Sequence, residues 1–236
     1  MTQVEHIAQT ISYPSDTHQI DGYLVHPRGD GPFPGIVIIH EAYGLNENIK
    51  EIAHRFAGEG YAALAVDLFT GSNRVICMFH FMGGLLFNSL NHGGIRDLKA
   101  ALSYLVAQPY VEGARTGAIG FCMGGGFAIA WACTDDRLKA IAPFYGSNPR
   151  PLEAVARLCP VVGSYPDGDI TTSQGQKLDA ELDGHNVPHD IKIYPGAKHS
   201  FFDDKGRSYN ANAAQDSWQR VTAFFKEHIG SATKST

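Results

Sequence analysis

The 236-residue chain has no apolar run of the ~20 residues that a membrane-spanning helix requires. Its strongest run, Gly35-Ile-Val-Ile-Ile39, has the length of a strand. It also lacks any cluster of lysine and arginine. With 19 basic against 24 acidic residues the formal charge is −5, so neither nucleic acid nor a membrane is expected as a partner. Cysteine is sparse: Cys77, Cys122, Cys133 and Cys159 form no C-x-x-C pair and no metal-like spacing. No metal and no other cofactor is therefore expected. The segment Met1-Thr-Gln-Val-Glu-His has neither a basic nor an apolar export region, which points to a cytoplasmic protein. Internal repeats are absent, and the one low-complexity stretch is the Ser/Thr/Lys tail after Gly230.

What is present suits an ordinary globular chain, 44 % hydrophobic and 18 % charged. The length allows one domain with a well-buried core, and nothing marks a linker, so residues 1–236 are read as one domain. A monomer or small homo-oligomer is expected.

Residues ~10–27 read as a hairpin, Gln9–Tyr13 and Ile20–Val25, followed by a Gly/Pro break. Ile36–Ile39 and Tyr61–Val66 are apolar throughout, as in strands covered on both faces. Helical spacing runs through Asn48–Glu59 and Ile95–Ala107. Thr116–Phe121 is a strand and Met123–Thr134 a Gly/Ala-rich helix. Ala140–Tyr145 and Pro160–Gly163 are strands with a helix near Leu152–Arg157 between them. A helix at Ser173–Gly184, a strand at Asp190–Tyr194 and a helix at Asn212–His228 complete the chain. This alternation predicts an α/β fold: a mostly parallel sheet with helices on both faces and an N-terminal antiparallel hairpin. Residues ~70–94 hold the apolar Met78–Phe87 and read either as a core helix or as a segment covering a pocket.

The most informative segment is Gly120-Phe-Cys122-Met-Gly124-Gly-Gly, a G-x-C-x-G pattern between a strand and a helix. At such an elbow a sharp turn exposes the nucleophile, and neighbouring backbone passes too close for side chains on the flanking positions. The helix that follows directs its first amides at the reacting atom, which favours a thiolate and an oxyanion. The Met123 amide is one such donor. The bland reading is a glycine-rich turn with an incidental buried cysteine. The glycines fit neither a P-loop nor a dinucleotide fingerprint.

A nucleophile needs a base, and the base an orienting group. His199, in the polar loop Tyr194-Pro-Gly-Ala-Lys-His-Ser-Phe201, follows a strand and is the candidate base. His185, His189 and His228 read as solvated surface histidines. Asp167 and Asp169 both follow the strand Pro160–Gly163, and one of the two is expected to be a turn residue. The loop Ile39-His-Glu41-Ala-Tyr-Gly44 offers the Ala42 amide as a second oxyanion donor. Glu41 is anomalous there, because a carboxylate beside a thiol disfavours the thiolate. Tyr43 and Phe201 are candidates for contact with substrate.

With these residues in view, the chain resembles the dienelactone hydrolase family of α/β-hydrolases over roughly residues 10–228. The carriers are His40-Glu41 with Gly44, Gly120-Phe-Cys-Met-Gly-Gly125, and Pro195-Gly-Ala-Lys-His-Ser-Phe201. The resemblance implies a Cys-His-Asp triad of Cys122, His199 and Asp169. Asp169 is preferred because Ile170-Thr171 follows it as in the family's pattern. It further implies Ala42 and Met123 as oxyanion donors, and Glu41 as the residue that keeps the resting thiol neutral and takes up its proton when substrate displaces it. Family members that act on dienelactone hold its carboxylate with arginines, one of them shortly after the catalytic histidine. Here Asp203 stands there and Arg207 lies later in register, and Arg74 is the candidate for the other arginine, or else a surface residue, so an anionic substrate is expected to be less welcome. The expected function is hydrolysis of a small-molecule carboxylic ester or lactone. The alternatives are a broad-specificity esterase without dienelactone activity, a non-catalytic binding or sensing member of the fold, and a peroxide-reactive thiol, for which no resolving cysteine lies near.

Overall fold

The computed structural model describes residues 5–16, 18–71, 83 and 89–230. In chain order the elements are β1 (His6–Pro14), β2 (Gln19–Pro27), β3 (Phe33–Ile39), α1 (Glu47–Gly58), β4 (Ala62–Asp67), α2 (Gly93–Val106) and β5 (Val111–Phe121). Then come α3 (Met123–Ala132), β6 (Ala140–Phe144), β7 (Val161–Pro166), α4 (Thr172–Gly184), β8 (His189–Tyr194) and α5 (Ala211–His228). Short 3-10 turns occupy Ser89–Asn91 and Leu152–Arg157. The second was expected as a helix; its N-cap is Pro151, which supplies no side-chain cap, and six residues are too few to sustain an α-helix. Apart from Ser89–Asn91 and the start of α2, most of the 70–94 segment, with Met78–Phe87, lies outside the described residues save Gly83.

The eight strands form one sheet in the order β1-β2-β4-β3-β5-β6-β7-β8. β3, β4, β5, β6, β7 and β8 pair in parallel, whereas β1 and β2 run antiparallel at the edge. β5 begins five residues before the expected Thr116, since Val111 and Glu112 pair with Phe33 and Pro34 ahead of a bulge between Pro34 and Gly35.

Two apolar cores explain the continuous hydrophobic strands. Val37 and Ile39 of β3 point into a core closed by α2, α3 and α4, and Ile36 and Ile38 into one closed by α1 and α5. A strand buried on both faces has no polar side to alternate. α3 lies against the middle of the sheet with all ten residues buried, and it carries no charged side chain because no face of it meets water. β3, β5, β6 and β7 therefore end side by side, and the loops after them share one rim.

Candidate active site

Cys122 connects the end of β5 to the start of α3 with φ 54° and ψ −114°. A non-glycine residue rarely adopts this backbone, and such strain persists only where the surroundings enforce it. The enforcement is visible. The Cys122 amide donates to the Phe144 carbonyl at 3.0 Å, and Gly126 closes the first helical bond onto the Cys122 carbonyl at 3.2 Å. A methyl group on Gly120 would strike the Gly124 carbonyl, and one on Gly124 would strike the Ile39 and His40 carbonyls. Both flanking positions are thus closed to any side chain.

The sulfur is half-buried, and burial first, then the Glu41 charge, push the thiol up to about 11; the Met123 amide that hydrogen-bonds it opposes the rise. Among the described residues no hydrogen bond joins the sulfur to His199.

His199 lies in the loop after β8, with Nδ1 3.3 Å from Asp169 Oδ2 and 3.4 Å from Oδ1. Asp169 is held by the start of α4: the Thr171 amide and hydroxyl both donate to its Oδ1 at 2.7 Å. Its own amide donates to Thr172 Oγ1 at 3.0 Å. Burial pushes the Asp169 carboxyl up, but Thr171, and then the charge and hydrogen bond of His199, outweigh it and leave the group below its ordinary range. Asp167 is exposed, and its amide ties the turn to the Tyr194 carbonyl at 3.1 Å. Of the two aspartates, the structure pairs Asp169 with the imidazole.

Glu41 is 5 % exposed. Its Oε1 accepts from the Tyr145 hydroxyl at 2.7 Å and its Oε2 from the Ser200 hydroxyl at 2.9 Å. Burial raises its carboxyl above the ordinary value; Tyr145, Ser200 and His199 oppose that rise. The Tyr145 ring centroid lies 4.9 Å from that of His199, so Glu41, Tyr145 and the imidazole form one cluster. His40, fully buried, accepts from the Leu68 amide through Nε2 at 3.1 Å, which leaves Nδ1 protonated to donate to the Glu41 carbonyl. Gly44 N–H donates to the same carbonyl at 3.1 Å. The loop bearing the Ala42 amide is fixed on both sides.

The dienelactone hydrolase family profile matches residues 20–229. The chain belongs to the dienelactone hydrolase family. Among its relatives is a protein of Saccharolobus solfataricus named "Putative carboxymethylenebutenolidase", 33 % identical, with 92 % of this chain and 97 % of the relative covered. A solved dienelactone hydrolase-like promiscuous phosphotriesterase from metagenomic libraries superposes with a TM-score of 0.85 at 29 % identity, covering 95 % and 99 % of the two chains. The acylaminoacyl peptidase of Pyrococcus horikoshii, at 16 % identity and a TM-score of 0.75, covers 98 % of this chain and 43 % of that one, and shares the α/β-hydrolase fold alone. The protein is thus a hydrolase of α/β-hydrolase fold.

In this dienelactone hydrolase family member a cavity of about 590 Å³ opens beside His199, lined also by Tyr43, Asn46, Asp203, Lys205 and Arg207. Tyr43 is 62 % exposed at its mouth. Arg207, eight residues after His199, reaches the cavity because the chain turns back through Asp203–Tyr209. Lys205 and Arg207 line the cavity together with one acid, Asp203. Phe201 is corrected. It is fully buried against Phe144, Tyr145 and Tyr194 and belongs to the core, because the loop turns its side chain inward behind His199. His189 is no solvated histidine either, since it is largely covered and lies 3.3 Å from Asp179. Arg74 lies outside the described residues.

Tyr145 and Ser200 were not anticipated from the sequence. The only local sign was their position, Tyr145 as the last residue of the expected strand Ala140–Tyr145 and Ser200 within the loop Tyr194–Phe201 beside His199. Among the described residues no helix is long and apolar enough to cross a membrane, and no three His, Cys, Asp or Glu side chains group to hold a metal ion.

Proposed function

We propose that this hydrolase cleaves carboxylic esters or lactones with Cys122 as nucleophile, His199 as base and acid, and Asp169 as the group that orients the imidazole. The observation that carries the reading is the strained cysteine at φ 54° at the head of α3, whose thiol feels the charges of Glu41 and Asp169, with Asp169 in turn 3.3 Å from the His199 imidazole. In the cycle, His199 takes the thiol proton as Cys122 Sγ attacks the carbonyl carbon. The carbonyl oxygen becomes an oxyanion facing the Ala42 and Met123 amides. His199 protonates the departing alkoxide as the tetrahedral adduct collapses to a thioester. Water then gives a proton to His199, attacks the thioester and releases the acid, returning the thiol. Glu41 keeps the empty site's thiol neutral. The nucleophile works as a free thiol, and the cytoplasm, a reducing compartment, is where we place it.

A second reading concerns the substrate. Lys205 and Arg207 in the cavity favour a substrate bearing its own carboxylate, such as an enol-lactone acid, over a neutral ester. A hydrolysis panel of neutral aryl esters, neutral lactones and carboxylate-bearing enol-lactones separates the two. The decisive test of the chemistry is Cys122→Ala, which should abolish turnover of activated aryl esters. Turnover at the parent rate in the purified variant rejects the mechanism.

A further inference from the structure

Glu41 receives more restraint than a loop acid needs. Its two oxygens are each engaged by a hydroxyl from a distant part of the chain, Tyr145 at the end of β6 and Ser200 in the loop after β8. Both donors sit on left-handed backbone, φ 39° and φ 61°, although neither is glycine. Such conformations are unfavourable for side-chain-bearing residues and survive where something fixes them. Here each strained residue delivers its hydroxyl to the same carboxyl group. Two hydroxyls donating to two different oxygens are the arrangement that suits the anion, because a carboxylate has only acceptors to offer.

We propose that Tyr145 and Ser200 are positioning residues that clamp Glu41 as a carboxylate beside the Cys122 sulfur and thereby set the pH at which the thiol ionises. The proposal rests on the reading of Glu41 as the control on Cys122. The titratable groups facing Glu41 are His199, Asp203 and Tyr145. Those facing Cys122 are Glu41, Asp169 and Tyr145. Of these, Tyr145 is the one that both hydrogen-bonds Glu41 and faces the sulfur. Ser200 follows His199 directly, so any shift of the imidazole loop also bears on the clamp. Losing either donor makes the buried Glu41 easier to protonate. A protonated Glu41 no longer opposes the thiolate, and the thiol then ionises at lower pH.

The test is the pH dependence of Cys122 alkylation by iodoacetamide in the full chain, with the labelled site located by peptide mass spectrometry. Parent, Ser200→Ala, Tyr145→Phe and Glu41→Gln are compared, and each donor substitution is repeated in the Glu41→Gln background. Ser200→Gly accompanies Ser200→Ala, because glycine tolerates the left-handed backbone and still removes the hydroxyl. The single variants should alkylate faster at neutral pH by on the order of three- to tenfold, an apparent shift of up to about one pKa unit. In the Glu41→Gln background the donor substitutions should add nothing. If Glu41→Gln shifts the profile but the donor variants do not, or shift it equally without Glu41, the clamp is refuted and the reading of Glu41 stands. If Glu41→Gln itself leaves the profile unmoved, that reading falls and the clamp with it.

Discussion

Replacing Asp169 by asparagine removes one charge and little else. The Thr171 amide and hydroxyl that bond Oδ1 at 2.7 Å find an amide oxygen in the same place, so the start of α4 should hold. What is lost is the attraction between the carboxylate and the imidazolium that forms as His199 takes the thiol proton. At the observed 3.3 Å, Coulomb's law with an effective dielectric constant of ~20 gives ~5 kcal/mol. The histidine and aspartate side chains are 33 % and 17 % exposed, and solvent screening cuts that to roughly 2–4 kcal/mol. A loss of this size in the transition state lowers kcat/KM by about 30- to 1,000-fold. The assay is hydrolysis of an activated aryl ester, with thermal denaturation as the control for folding. Asp167→Asn is the companion variant: exposed and off the imidazole, it should keep parental kcat/KM. A folded Asp169→Asn enzyme within twofold of the parent would refute the argument, as would an Asp167→Asn enzyme that falls equally far.

Three further outcomes follow from the same structure. Gly124→Ala drives a methyl group into the Ile39 and His40 carbonyls and should cost about 2–4 kcal/mol in urea denaturation; a loss under about 0.5 kcal/mol would show that the elbow can relax. Arg207→Ala should raise KM about tenfold for carboxylate-bearing lactones and leave neutral aryl esters alone; equal effects on both would remove Arg207 from substrate binding. Glu41 has a raised carboxyl pKa in the folded state, so ionising it above its unfolded value near 4.3 weighs against the fold. The sign is therefore that stability is relieved of this burden at acid pH and carries it at neutral pH. Glu41→Gln should be more stable than the parent at pH 7, with the gain fading as pH falls toward about 4. A gain that persists or grows in acid would contradict the assignment.

Much of the architecture was legible because burial leaves a periodic record. Ile36–Ile39 is apolar at every position because the two cores take alternate residues, and α3 is uncharged because no side of it reaches water. The elbow was legible for a steric reason: glycine is the residue that fits between Cys122 and the backbone of β3. His199 and the pair Asp167 and Asp169 were found from their places after strands, since loops following parallel strands share one rim. What the chain order left open was which aspartate meets the imidazole. Both occupy the same turn, and the direction of each side chain depends on how α4 begins.

The linear pattern of apolar, glycine and polar residues determined the parallel sheet, the position of Cys122 and the loop of His199, because these rest on local sterics and on burial that repeats along the chain. Folding in three dimensions decided the rest. It paired Asp169 with His199, sent Phe201 into the core, brought Arg207 back to the cavity, and closed Tyr145 and Ser200 on Glu41 across separations of 104 and 159 residues. Those contacts join segments far apart in the chain, and hydrogen bonds between such segments leave no periodicity in the sequence from which to read them.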